Sequence, residues 1–177
     1  MQEDNDVVAE LGSKFPYLQG KMRVQRDRRI YVEAPVEHFA EIFAYLYGPM
    51  KFNMLSTITG HDFGATLGAM YHLTRENRIL LSITTAVPKD KPVLQSVTSY
   101  FPAADAYERE LVDLLGMQVQ GLPPGSRYPL PEGWPEGQYP LRKDWNAKML
   151  EGIAPAALTP ASYFPESQTE TSKEPKP

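Results

Sequence analysis

At 177 residues, 42% hydrophobic and 23% charged, the chain is long enough to bury a core as one domain, and its net charge of −4 gives it no general attraction for nucleic-acid phosphates or anionic lipids. It contains no cysteine, which excludes disulfides, thiolate metal sites, cysteine-ligated iron–sulfur clusters and a cysteine nucleophile. The opening MQEDNDVVAELGSKF lacks a signal-peptide core, and the longest apolar run, ILLSITTAV, is far short of the roughly 20 residues that span a bilayer, so the chain is expected to be soluble or to meet a membrane only through partners.

DVVAELGSKF predicts a short N-terminal helix, and MRVQRDRRIYVEA one strand or a pair. Val36, Phe39, Ala40, Phe43, Leu46 and Tyr47 recur at helical spacing. Pro35 suits the first helical position and Gly48-Pro49 stops the pattern. FNMLSTITG predicts a strand ending at Gly60. ATLGAMYHLT sets Leu67, Ala69, Tyr71 and Leu73 on one face, and RILLSITTAV sets Ile79, Leu81, Ile83 and Val87 on one face with Thr85 among them. The polar RENR between these two runs predicts an antiparallel hairpin.

PAADAYERELVDLLG predicts a further helix with Ala104, Tyr107, Leu111, Leu114 and Leu115 on its apolar stripe. Asp105 and Glu108 suggest a capping-box-like start, and Gly116 a left-handed end. Eleven of the 17 prolines lie from Gly121 onward, which rules out long regular elements there. The implied organisation is an α+β core over residues 1–116, in which helices pack on one face of a small, mainly antiparallel sheet. A proline-rich extended arm follows over 117–150, then a polar, flexible tail over 151–177.

No complete active site emerges. Glu108, Arg109, Glu110 and Asp113 crowd one helix, on the side read as exposed. Paired carboxylates can serve acid–base catalysis, but Arg109 stands four residues from both Asp105 and Asp113, so helical ion pairs account for the charges; a third reading turns them toward a partner protein. The histidines are His38, His61 and His72. GHDFG places His61 beside Asp62, yet no second histidine has co-ligand spacing, so a turn or surface histidine is expected. There is no phosphate-cradling glycine loop and no G-x-S-x-G. Tyr100, Phe101, Trp134 and Trp145 have the rings to stack on bases, but the acidic balance argues against nucleic acid.

Two segments carry a resemblance. Pro92 and Ser96 lead to Ala103-Ala104, then to Tyr107, Glu108, Arg109, Glu110, Asp113 and Gly116. The arm GWPEGQYPLRKDW ends in Pro140 to Trp145, and TGHDFG precedes a YHL strand. Together, over roughly residues 35–146, these resemble the 30-kDa-type subunit of respiratory complex I and its relatives. Gly121-Leu122-Pro123 departs from the usual G-H-P, and Leu114 stands where an aromatic usually follows the aspartate. WPEGQYPLRKD looks more like the corresponding subunit of membrane-bound, energy-conserving [NiFe] hydrogenases.

The resemblance implies a scaffold subunit without an active site of its own, on the cytoplasmic face of a membrane complex. It would brace a large catalytic subunit and a small iron–sulfur subunit. No cofactor is expected in this chain; a [NiFe] centre and iron–sulfur clusters, or quinone, belong to the partners. The corresponding 30-kDa-type subunit of a NADH (or other donor):quinone oxidoreductase is the alternative. A stand-alone enzyme using Glu108, Glu110 and Asp113 is the rival of another class.

The partner interface is expected at Glu108, Arg109, Glu110 and Asp113 and at Tyr139, Leu141, Arg142, Lys143, Asp144 and Trp145. An extended arm buries too little apolar area alone to offset its ordering entropy, roughly 1–2 kcal/mol per residue, so it must lie on something. That is either a partner, whose carboxylates or helix C-termini Arg142 and Lys143 would meet, or the chain's own sheet.

Overall fold

The computed structural model describes residues 2–76 and 78–151. All of the expected tail except Glu151 lies outside the described residues. The alternation of the central runs builds the sheet. β1 (Met22–Arg26) and β2 (Arg29–Glu33) form a hairpin, and β3 (Met54–Asp62), β4 (Thr66–Arg75) and β5 (Ile79–Pro88) form a meander. The order is β1-β2-β5-β4-β3, with β2 and β5 the parallel pair of an otherwise antiparallel sheet.

The face carrying Leu67, Ala69, Tyr71, Leu73, Ile79, Leu81 and Ile83 is sealed. It packs beneath α1 (Gln2–Lys14), α2 (Phe39–Tyr47) and α3 (Ala104–Leu115), so helices occupy one face as expected of an α+β fold. Phe39 and Phe43 of α2 close on the Tyr71 ring at 4.9 and 5.6 Å. α3 lies against β3 at Gly60, where any Cβ would run into Leu111 and Leu115. A two-stranded parallel ribbon of β6 (Val93–Gln95) and β7 (Gln118–Gln120) brackets α3, so the expected arm begins by contributing a strand.

Three local expectations are corrected. Residues 36–38 form a 3-10 turn rather than the first turn of α2. Val36 is therefore 39% exposed and Ala40 is exposed, while Ile42 joins the buried stripe. The third strand runs two residues past Gly60, to Asp62. α3 has no capping box: Ala103 is its N-cap and no side chain caps it, because the helix starts a residue before Asp105 and both acids are used elsewhere. Its other end is as expected. Gly116 takes φ 68°, and Gly116 and Met117 return their N–H groups to Val112 and Leu111.

Candidate functional site

The charged residues of α3 fall on two faces. Glu108 is fully buried, not on an exposed side. Its carboxylate accepts from Ser96 Oγ at 2.6 Å and from the Val97 N–H at 2.7 Å, pinning the loop between β6 and α3. Burial pushes the Glu108 carboxyl above its ordinary range, against the pull of those two donors. One helical turn apart along another face stand Asp105, Arg109 and Asp113.

Arg109 grips Asp105 through two contacts of 2.9 Å and also donates to the Pro123 and Ser126 carbonyls, at 2.7 and 3.2 Å. Asp113, 6% exposed, does not pair with Arg109 as the i, i+4 spacing suggested. Arg127 Nε reaches it at 3.0 Å and the Leu130 N–H at 3.2 Å, while Arg127 Nη1 donates to the Trp134 carbonyl. Glu110 sits half-buried on the same helix. The helix thus supplies fixed charges that order residues 123–134.

The PLRKD stretch completes this from the other side. A helix end leaves its last carbonyls without intrahelical donors, and a cation there meets the negative end of the helix dipole. The Leu141 N–H donates to the Leu114 carbonyl at 3.0 Å, and Arg142 Nε to the Leu115 carbonyl at 2.7 Å. The Arg142 guanidinium lies 4.4 Å from the Tyr139 ring centroid. Arg142 therefore does meet a helix C-terminus, and that helix is the chain's own. Trp134 and Trp145 both bond Gln138, through its carbonyl at 2.8 Å and its side chain at 3.0 Å, and the two rings lie 6.4 Å apart.

The hub is Asp62, at the end of β3. Its side chain is 2% exposed and accepts from the Gly64 N–H at 2.7 Å, the Lys143 N–H at 2.9 Å and Lys89 Nζ at 2.9 Å. Those donors, the backbone ones foremost, hold its carboxyl down to about 2. Lys89 then bridges to Asp144 at 3.1 Å, and this contact lowers the Asp144 carboxyl as well. Of the ten residues expected at an interface, Leu141 (56% exposed), Lys143 and Asp144 stay on the surface, while Glu108 and Asp113 are buried within this chain.

Sequence reasoning passes over Lys89 and Arg127, and it meets Ser96 only as a motif residue and Asp62 only beside His61, without a role for either. The available signal is Asp62 inside GHDFG, which the sequence presents only as a neighbour of its histidine. The three histidines do not converge. His38 bonds Glu41, His61 stacks on Phe63, and His72 contacts Ser82 and Thr59 across the outer sheet face, with burial and then His61 lowering its pKa. Among the described residues no group of three or more histidine, aspartate or glutamate side chains is placed to hold a metal ion, and no helix is long and apolar enough to cross a membrane.

Residues 32–150, spanning both motifs, match the family described as respiratory-chain NADH dehydrogenase, 30 Kd subunit. A subunit of the F(420)H(2) dehydrogenase of Methanosarcina mazei is 29% identical over 142 residues, covering 78% of this chain and 89% of that protein. The beta subunit of the membrane-bound hydrogenase of Pyrococcus furiosus is 27% identical over 150 residues, covering 81% and 87%. The C/D subunit of the NADH-quinone oxidoreductase of Phocaeicola vulgatus is 35% identical over 133 residues, 72% of this chain but 24% of that much longer one. Among solved structures, a polypeptide of the membrane-bound sulfane sulfur reductase, an archaeal respiratory membrane complex, superposes with a TM-score of 0.70 at 26% identity, over 94% of this chain and 97% of that one. This chain belongs to the family of the respiratory-chain NADH dehydrogenase 30-kDa subunit, as a complex I-related subunit of the membrane-bound hydrogenase or F420H2/NADH dehydrogenase type.

Proposed function

We propose that the chain is a structural subunit of the membrane-bound hydrogenase type. It braces a large catalytic subunit and a small iron–sulfur subunit at the cytoplasmic face of the membrane and holds no cofactor itself. The observation that carries this reading is how the α3 charges are used. Glu108, Arg109 and Asp113 each hold backbone of the chain's own loops, which leaves them to fix shape rather than to move protons to a substrate. The match to the longer Phocaeicola polypeptide supports a large partner, because there a domain like this one is joined to a polypeptide about three times its length. Joining two polypeptides in one gene product suits a pair that works in contact. Leu141, Lys143 and Asp144, on the outer edge of the arm, are the motif residues left facing outward for such a partner.

A second reading has its own support. The identity to an F(420)H(2) dehydrogenase subunit is as high as that to the hydrogenase subunit, so a quinone-reductase-type or related dehydrogenase complex fits the same fold. Affinity purification through a tag on this chain separates the readings. The hydrogenase reading expects a co-purifying large subunit with nickel and hydrogen evolution from reduced viologen. Co-purifying flavin subunits with quinone reduction and no hydrogen would replace it with the second. A protein that purifies alone and turns over a substrate would restore the stand-alone enzyme.

A further inference from the structure

At the end of the sheet remote from the arm, the β1–β2 and β4–β5 turns bring Arg26, Arg28, Arg29 and Arg78 to one shallow cleft of about 350 Å³. Register puts them there. Arg26 is the cross-strand partner of Arg29, and Arg29 is the partner of Leu80, two residues past Arg78. Of the carboxylates nearby, Asp27 lines the same cleft 3.8 Å from Arg28, the buried Asp4 takes a hydrogen bond from the Arg28 backbone, Glu3 is held by Arg75, and Glu76 is exposed on the β4–β5 turn and lines no part of the cleft, so the four guanidinium groups outnumber the one carboxylate that lines it. On a chain of net charge −4, four guanidinium groups gathered at one end make a segregated positive field.

Two features set the cluster against local preference. Directly opposed like charges weaken a strand pair, and Arg26 and Arg29 are such a pair. Arg28 holds φ 61° in a tight hairpin turn, a conformation that glycine or asparagine takes more readily than a long side chain. An adjoining cleft of about 290 Å³ shares Arg29 and Arg78 and runs over Ile79, Leu80 and Met54, the last 48% exposed. An apolar floor continuous with a guanidinium cluster suits a polypeptide bearing carboxylates and one apolar anchor better than it suits a bare phosphate surface.

We propose that this arginine end is the docking surface for an acidic segment of another subunit of the same complex, whose carboxylates meet the guanidinium groups while an apolar side chain covers Met54 and Leu80. The proposal rests on the reading of the chain as a complex subunit. It is tested on the full chain, tagged after Pro177 and purified with its complex, using Arg28→Gly, Arg26→Glu with Arg78→Glu, and Met54→p-benzoylphenylalanine.

Arg28→Gly removes a cation while relaxing the turn, so the chain alone should melt at or above the wild-type temperature and yet lose its partners at lower salt. The double reversal should weaken assembly by about tenfold or more, in line with opposed charges at a desolvated contact. Photolysis should join position 54 to an acidic peptide of a co-purifying subunit. If the unmodified chain purifies without partners, the docking proposal and the subunit reading fall together. If it purifies with them and both arginine variants hold them to the same salt concentration, the docking proposal alone falls. It also falls if the arginine variants lose binding to phosphatidylcholine–phosphatidylserine vesicles while assembly is unchanged, which would make this end a lipid contact.

Discussion

Asp62→Asn removes the charge at the point where arm, sheet and Lys89 converge. In the wild type three donors aim at one buried carboxylate, two of them backbone N–H groups of Gly64 and Lys143. Its carboxyl is drawn from 3.8 to about 2. At about 1.4 kcal/mol per pKa unit, that difference corresponds to roughly 2 kcal/mol favouring the folded, ionised form. Asparagine keeps one acceptor, enough for Gly64, but turns an amide donor toward the Lys143 N–H and the Lys89 ammonium. A loss of about 2–3 kcal/mol is expected at neutral pH, lowering the melting temperature by roughly 5–10 °C for a protein of this size.

The pH dependence has a fixed sign. Because the folded-state pKa is depressed, the stabilisation is present above the unfolded value of 3.8 and is lost as the pH falls through about 2. Calorimetry should therefore show a constant gap between the two proteins near neutrality that closes in strong acid. Trypsin should also cut the variant faster after Arg142 and Lys143, since the arm loses its tether. A variant that melts within about 1 °C of wild type at neutral pH, or a gap that persists below the folded pKa, would refute the assignment of Asp62 as the hub.

Glu108→Gln should match wild type in acid and equal or exceed its stability at neutral pH. A carboxyl raised by burial stabilises fully below its unfolded pKa and loses that contribution as the pH rises through the folded one; glutamine mimics the protonated form. Glu108→Ala leaves the Val97 N–H and the Ser96 hydroxyl without their acceptor and should cost about 1–3 kcal/mol by denaturant titration. Arg142→Ala should cost about 1.5–3 kcal/mol in the isolated chain, since it strips a charged donor from the end of α3; an unchanged melting curve would put Arg142 outside the fold's own accounting. Elemental analysis and a visible spectrum of the purified protein should show no stoichiometric iron, nickel or flavin, and either signal would sink the structural-subunit reading.

The sheet was legible because its strands are half-buried on one face: the alternation at Leu67, Ala69, Tyr71 and Leu73 identifies the inner side with no further information. The end of α3 was legible because a left-handed Gly116 is a local requirement. The start of α2 was not, because Pro35 permits a 3-10 turn as readily as an α-turn and only tertiary packing of Ile42 selects between them. The parallel β2–β5 pairing and the β6–β7 ribbon join segments far apart in sequence, and no local pattern reports them. The same holds for the candidate site. Charges on α3 were visible as residues, but whether a carboxylate faces water or a loop depends on where residues 96–98 and 127–130 return, and that is decided by the whole fold.

The spacing that carries the family resemblance has a physical sense in this arrangement. Asp105, Arg109 and Asp113 recur every fourth residue, so they stand along one line of the helix, and the loop of residues 123–130 runs beside that line taking one contact after another. Glu108 is one residue off the line and turns inward, to the loop that precedes the helix. Leu141 and Arg142 arrive last, at the carbonyls left open where the helix stops. Asp105, outside the motif, steadies Arg109, while Glu108, Arg109, Asp113, Leu141 and Arg142 hold otherwise irregular backbone to α3. An extended arm without regular hydrogen bonding needs such fixed anchors to keep one shape, and a subunit whose task is to present a shaped surface to its neighbours needs the arm to keep one shape before they arrive.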